Sequence, residues 1–123
     1  MKLLILLSLL LIFNLNADRL SNRGLFCILD SKDMKSNLFE AYLFSDNTFI
    51  SLYLEIIKKD VFIKKSKPES YSINDRYIKL RGLNIDKRKL SYKTMGGVFY
   101  CQMLSKKMLI ENVKKMQKQK TLF

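Results

Sequence analysis

Apolar and polar residues alternate along most of the chain after Gly24. In RYIKLRG, Ile78 and Leu80 share one face while Lys79 and Arg81 share the other, the period-two signature of a half-buried strand. Leu83 and Ile85 extend the inward face past Gly82, and Leu90 and Tyr92 resume it, leaving Lys89, Ser91 and Lys93 on the wet side. Between them Asp86 suits the start of a turn, because its carboxylate accepts a backbone N–H two residues on. The basic run IDKRKLSYKT, Ile85 to Thr94, therefore reads first as the tip of a hairpin rather than as a grip on an anion.

The flanking segments complete a series of strands. LFCILD, Leu25 to Asp30, is short and nearly continuous in apolar residues, as in a strand covered on both faces. After the polar loop SKDMKSN, LFEAYLFS (Leu38 to Ser45) stops at Asp46-Asn47, a turn-forming pair. TFISLYLEIIKK, Thr48 to Lys59, carries two periods at once: Ile50, Leu52, Leu54 and Ile56 alternate, whereas Phe49, Ile50, Tyr53, Ile56 and Ile57 fit one helical face. The turn before it and VFIKK after it favour a strand, with a short helix as the alternative. Pro68 breaks the next stretch, YSIND and RYIKLRG follow, and Gly96-Gly97 permits a turn or bulge before a last strand, VFYCQML (Val98 to Leu104).

The period then changes. Across residues 105–119, Leu109, Ile110, Val113 and Met116 lie on one helical arc, Lys107, Lys114, Lys115 and Lys118 lie opposite, and Ser105 is placed to cap the start. This predicts a surface helix packed on the sheet; a basic helix docked on anionic lipid is the alternative, weakened by the lack of Trp and Phe on its apolar arc. The expected fold is mainly β: a small antiparallel meander of about 7–8 strands within residues 24–104, forming a barrel or sandwich, with a C-terminal amphipathic α-helix.

The first residues, MKLLILLSLLLIFNLNADRL, follow a different logic. Lys2, an apolar run from Leu3 to Phe13 broken by Ser8, and the small residue Ala17 before Asp18 form the order of a signal peptide over residues 1–17. An uncleaved anchor is the rival, but the apolar core of about 13 residues is short of the roughly 20 a spanning helix needs. The expectation is export, to the periplasm or beyond the cell, of a single domain over residues 18–123 with no membrane span after cleavage.

Export changes the meaning of the cysteines. An oxidising compartment turns Cys27 and Cys101 into one expected disulfide, with two free buried thiols as the alternative. Joined, they would set the first and last strands side by side or face to face, since bridged Cα atoms lie within roughly 7 Å. With no histidine in the chain and no CxxC spacing, no metal and no cofactor are expected. Triads, Cys-His pairs and phosphate-cradling glycine loops are absent from the sequence as well. A pair of carboxylates is the only general acid–base device left; Glu40 and Glu55 sit at mid-strand positions, where outward, solvated side chains are expected. The sequence points away from an enzyme.

Charge supplies the remaining signal. The formal net charge is +12, and its distribution is uneven: residues 18–63 hold six cations and seven acids, residues 64–103 ten and three, residues 104–123 six and one. Lys79, Arg81, Lys89, Lys93, Lys107, Lys114, Lys115 and Lys118 are the candidate anion-binding residues, with Tyr77 the ring expected to stand beside Lys79 and Arg81. Lysine outnumbers arginine 18 to 5, a bias that AT-rich coding also produces. The expected function is a non-enzymatic binding module whose basic face meets lipopolysaccharide, acidic glycan or nucleic acid. A protein partner is the alternative. The layout, a small exported antiparallel sheet with a cysteine near each end, is similar to that of the inhibitors of C-type lysozyme, which implies an envelope interaction or inhibitor role. Here MGGVFY, Met95 to Tyr100, lacks the serine of that family's inhibitory loop, and a basic lysozyme would be repelled by a basic partner.

Overall fold

Alternation along neighbouring strands closes the chain on itself. The computed structural model describes residues 20–30 and 38–121. They form β1 (Arg23–Asp30), β2 (Phe39–Phe44), β3 (Thr48–Ile57), β4 (Asp60–Lys65), β5 (Glu69–Ile73), β6 (Tyr77–Leu80), β7 (Leu83–Asp86), β8 (Ser91–Thr94), β9 (Gly97–Ser105) and the helix α1 (Lys106–Thr121). All pairings are antiparallel, and β1 pairs with both β2 and β9. Eight strands thereby make a closed barrel, and β4 is an extra strand outside it. The expected meander is a barrel rather than a sandwich. The expected leader over residues 1–17 lies outside the described residues, as does the loop at 31–37.

The segment with two periods is a strand. β3 pairs with β2 along one edge over Phe49–Leu52. Its other edge is shared in tandem, Thr48 and Phe49 pairing with β5 and Leu52–Ile57 with β4. Lys58 and Lys59, at φ 50° and 76°, turn the chain back into β4, a reversal that a continuing helix excludes. Pro68 falls in the break between β4 and β5, where the absence of a proline N–H costs no ladder bond. Ser66 holds that break closed: its N–H donates to the Ser51 carbonyl at 2.9 Å, and its hydroxyl accepts from the Ser51 N–H at 2.7 Å.

Two apolar clusters result. Leu25, Cys27, Phe44, Phe49, Ile78, Leu80, Ile85, Tyr92 and Phe99 fill the barrel interior. Phe26, Ala41, Leu52 and Leu104 point outward and are roofed by Leu109 and Val113 of α1, both fully buried. This roof explains the nearly continuous apolar run of β1: the helix covers the outer face at Phe26, while Ile28, farther along, is 47% exposed. Helix and sheet touch closely at Gly24, where a Cβ would come within 2.6 Å of the Leu109 side chain.

The helix is capped as the sequence predicts, with the Met108 N–H donating to the Ser105 hydroxyl at 3.3 Å, and it runs on to Thr121. Its apolar arc is occupied by the barrel, so this arc is not free for a lipid surface. Near its end, Gln117 Nε2 donates to the Val61 carbonyl at 2.7 Å, covering part of an outer strand. Among the described residues no helix is long and apolar enough to cross a membrane.

Candidate functional site

The barrel has two ends. The β3–β4, β6–β7 and β8–β9 turns gather at the upper end; Leu20 and the β2–β3, β5–β6 and β7–β8 turns gather at the lower end. Leu20 is buried and plugs the lower end, its N–H donating to the Tyr71 hydroxyl at 3.2 Å. That hydroxyl in turn lies 2.9 Å from the Ser45 carbonyl.

The eight expected anion-binding residues are divided between walls. Lys79 and Lys93 point outward from β6 and β8, Lys79 in register with Asn84 and Lys93 with Val98. Arg81 belongs to the upper β6–β7 turn, where it pairs with Glu69 at 3.0 Å; Lys89 belongs to the lower β7–β8 turn. Lys107, Lys114, Lys115 and Lys118 are exposed on α1, which packs over β1, β2, β4 and β9, across the barrel from β6 and β7. The fold does not gather these cations on one concave face.

It does gather a different set. The β5–β6 and β7–β8 turns are built on one local pattern, Asn74-Asp75-Arg76 and Asp86-Lys87-Arg88. In each, the first side chain accepts the N–H of the arginine and of the residue after it. Asn74 Oδ1 accepts from Arg76 at 2.9 Å and Tyr77 at 2.7 Å; Asp86 Oδ1 accepts from Arg88 at 2.8 Å and Lys89 at 3.1 Å. The Lys87 N–H, bonded to the Arg76 carbonyl at 2.9 Å, ties the two turns together. Between them opens a cleft of 520 Å³ lined by Asp75, Arg76, Asp86, Arg88 and Lys89. The Arg76 guanidinium stands 5.7 Å from the centre of the Tyr77 ring, within cation–π range. The Lys89 and Arg88 amides, with the nearby cations as a lesser cause, hold the Asp86 carboxyl below its ordinary range.

Lys89 is the only expected residue in this cleft; reading outward-facing lysines passed over Arg76 and Arg88. The signal was present in the duplicated Asx-x-Arg pattern, which marks two turns with an arginine at the same place in each. Chemically the cleft offers two planar forks and one ammonium, offset by two carboxylates, a set suited to phosphate or sulfate oxygens.

The upper end encloses chemistry of another kind. Glu40 is directly opposite Cys27 in the β1–β2 register and on the same side of β2 as Tyr42, yet at the upper rim its side chain is exposed, as expected of a solvated acid. Burial raises its carboxyl above the usual carboxylate range. Burial, with the Glu40 charge as a second cause, pushes the Tyr42 phenol up to about 12, and the Tyr92 phenol is pushed up by burial and by Tyr42 and Glu40. Tyr92 stacks on Phe99 at 4.9 Å. Its buried hydroxyl has the Tyr42 phenol as its polar neighbour, an interaction that acts on both phenols although it falls short of a well-formed hydrogen bond. Beside Tyr42 a cavity of 220 Å³ reaches the rim at the Glu69–Arg81 pair. Glu55 is exposed on the β3–β4 arm, opposite Phe62. No group of three or more potential metal ligands occurs among the described residues.

Comparison of the chain with protein-family models, with curated proteins and with solved structures finds no match. The reading of function therefore rests on the geometry.

Proposed function

We propose that the protein is an exported, non-enzymatic barrel that binds a phosphate- or sulfate-bearing partner, such as lipopolysaccharide, acidic glycan or nucleic acid, through the lower cleft and the adjoining β6–β8 wall. The observation that carries this is the convergence of Arg76, Arg88 and Lys89 on one cleft whose turns are fixed by Asn74 and Asp86. Lys79 and Lys93 extend the positive field along the wall above. The Cys27–Cys101 disulfide suits an oxidising compartment, which supports export.

The test is binding to heparin, lipopolysaccharide and single-stranded DNA over a salt series. Affinity should fall steeply with salt, and the Arg76→Ala/Arg88→Ala double variant should lower the salt slope for single-stranded DNA by about 1.4. Lys114→Ala/Lys115→Ala/Lys118→Ala, on the other wall, should bind like the parent. Equal loss from both variants would reassign binding to net charge alone, and salt-insensitive binding would remove the reading.

A protein partner is the second reading, favoured by Tyr53, Ile57 and Phe62, which are 46%, 44% and 43% exposed along one face of the β3–β4 arm. An envelope inhibitor of C-type lysozyme belongs to this class. A lysozyme inhibition assay separates that case from other partners.

A further inference from the structure

We infer that the open edge of β4 pairs with the same edge of a second copy, joining two β3–β4 arms into one four-stranded antiparallel sheet. The inference rests on the protein-partner reading of the arm and names that partner as the chain itself.

β4 lies at the end of the strand order and pairs with β3 alone. The Ser66 N–H points at the Ser51 carbonyl, so by alternation the backbone groups of Asp60, Phe62 and Lys64 face β3, while those of Val61 and Ile63 face away. Gln117 accordingly meets the Val61 carbonyl from outside, taking one of that oxygen's two lone pairs. A row of outward backbone groups is a template for another strand.

The sequence of β4, DVFIKK, selects both partner and register. Residues directly opposite in an antiparallel pair share a face, so a twofold axis between two β4 strands has to pass through a residue. Through Phe62, it sets Asp60 against Lys64 of the second copy, Val61 against Ile63, and Phe62 against itself. Every pair then matches in kind. Through Val61, Asp60 would meet Phe62; through Ile63, Phe62 would meet Lys64 and Val61 would meet Lys65. Asp60, Phe62 and Lys64 are all exposed on one face of the arm, so the groups this register joins already stand in the open. The ladder stops where the chain turns at Lys59, φ 76°, which spares Lys65 a cation opposite it. Pairing covers the Phe62 ring and continues the face of Tyr53 and Ile57 across both arms.

The test is sedimentation equilibrium of the full chain from micromolar to millimolar protein, at an ionic strength that screens the net charge of +12. The parent should form dimers and nothing larger, since one twofold contact uses up the edge. Asp60→Lys and Lys64→Asp should each weaken self-association about tenfold or more, because two attractive pairs become repulsive. Mixed in equal amounts, these two variants should associate as tightly as the parent, since each carries the charge the other lacks. Asp60→Lys/Lys64→Asp should do so by itself. Both positions are exposed, and the circular dichroism of each variant should match the parent, which keeps folding out of the comparison. A monomer at every concentration, self-association unaffected by the single variants, or no association in the mixture would each overturn the self-pairing. Each of these leaves the wider protein-partner reading standing, because that reading is tested with added proteins rather than with this chain alone.

Discussion

Cys27 of β1 stands directly opposite Cys101 of β9, and the two sulfurs are bonded. A meander of strands has two open edges until its first and last members meet, and open edges invite pairing with other chains. The hydrogen bonds between β1 and β9 close that seam over eight residue pairs, and the disulfide locks it in the middle. The bond also spans 74 residues of sequence, so it restrains most of the domain in the unfolded chain.

Removing it should cost about 4 kcal/mol in the loop-entropy account. The measurement is the denaturant midpoint of the parent, with and without reductant, and of Cys27→Ala/Cys101→Ala. The unreduced native protein should also resist alkylation, because both thiols are consumed. Equal midpoints, or alkylation before reduction, would show that the seam does not depend on the bond.

The helix roof depends on the lack of a side chain at Gly24. A Cβ there would meet three Leu109 atoms at 2.6 to 2.9 Å, so Gly24→Ala forces helix and sheet apart. Overpacking of this kind costs about 1–3 kcal/mol. Leu109→Ala, which empties a fully buried site, should cost about 2–5 kcal/mol. Combining them should cost somewhat less than the sum, since alanine at 109 removes the Cγ and Cδ2 that the new methyl meets but keeps the Cβ at 2.7 Å; strict additivity in a double-mutant cycle would show that the Leu109 atoms beyond Cβ do not depend on Gly24.

How much of this was legible in sequence depended on whether the information was local. The inward row Ile78, Leu80, Ile85, Tyr92 is buried as alternation predicts, and the Asp86 turn forms with the bond to the residue two places on. The choice between barrel and sandwich was not legible, because a cysteine pair names neighbours and not the curvature between them. β4 also escaped: VFIKK was read as following a strand, but that it would leave the barrel and share one edge of β3 with β5 depends on where Ser66 and Pro68 interrupt the ladder. Glu40 is exposed, as a solvated acid is expected to be, but it stands on the inward side of β2. Its side follows from its register with Cys27, a long-range relation that no local pattern carries. The cleft arginines were hidden for a similar reason, since Asn74-x-Arg76 and Asp86-x-Arg88 come together only when β6 and β7 bring their turns side by side.

Glu40 makes stability depend on pH. Its carboxyl is raised above 4.5 by burial, so the folded barrel holds the proton more tightly than the unfolded chain does. That contribution is fully present below the unfolded value and is lost as pH rises through the folded one. Glu40→Gln should therefore match the parent in melting temperature at pH below about 4, and exceed it increasingly as pH climbs toward neutral. Parallel melting curves for the two proteins across this range would mean that Glu40 is solvated in the native state.

Asp86 has the opposite sign, and it connects the stability of the lower turn with the charge of the cleft. Its carboxyl is held below 3.8 by the Lys89 and Arg88 amides, so its contribution is present above the unfolded value and is lost as pH falls through the folded one. Asp86→Ala should lower the melting temperature at neutral pH, with the gap to the parent closing in acid. Asp86→Asn keeps an oxygen for the two amides and has no charge to titrate, so it should melt close to the parent at neutral pH with a flatter acid limb. The same pair of variants separates turn geometry from charge in binding. Asparagine removes one of the two acids that offset Arg76, Arg88 and Lys89, so heparin should bind Asp86→Asn more tightly than the parent. Alanine removes that charge too, but releases the turn that aims Arg88, and should bind less tightly than asparagine. Equal gains from both would show that the cleft attracts by net charge without using the fixed placement of its arginines.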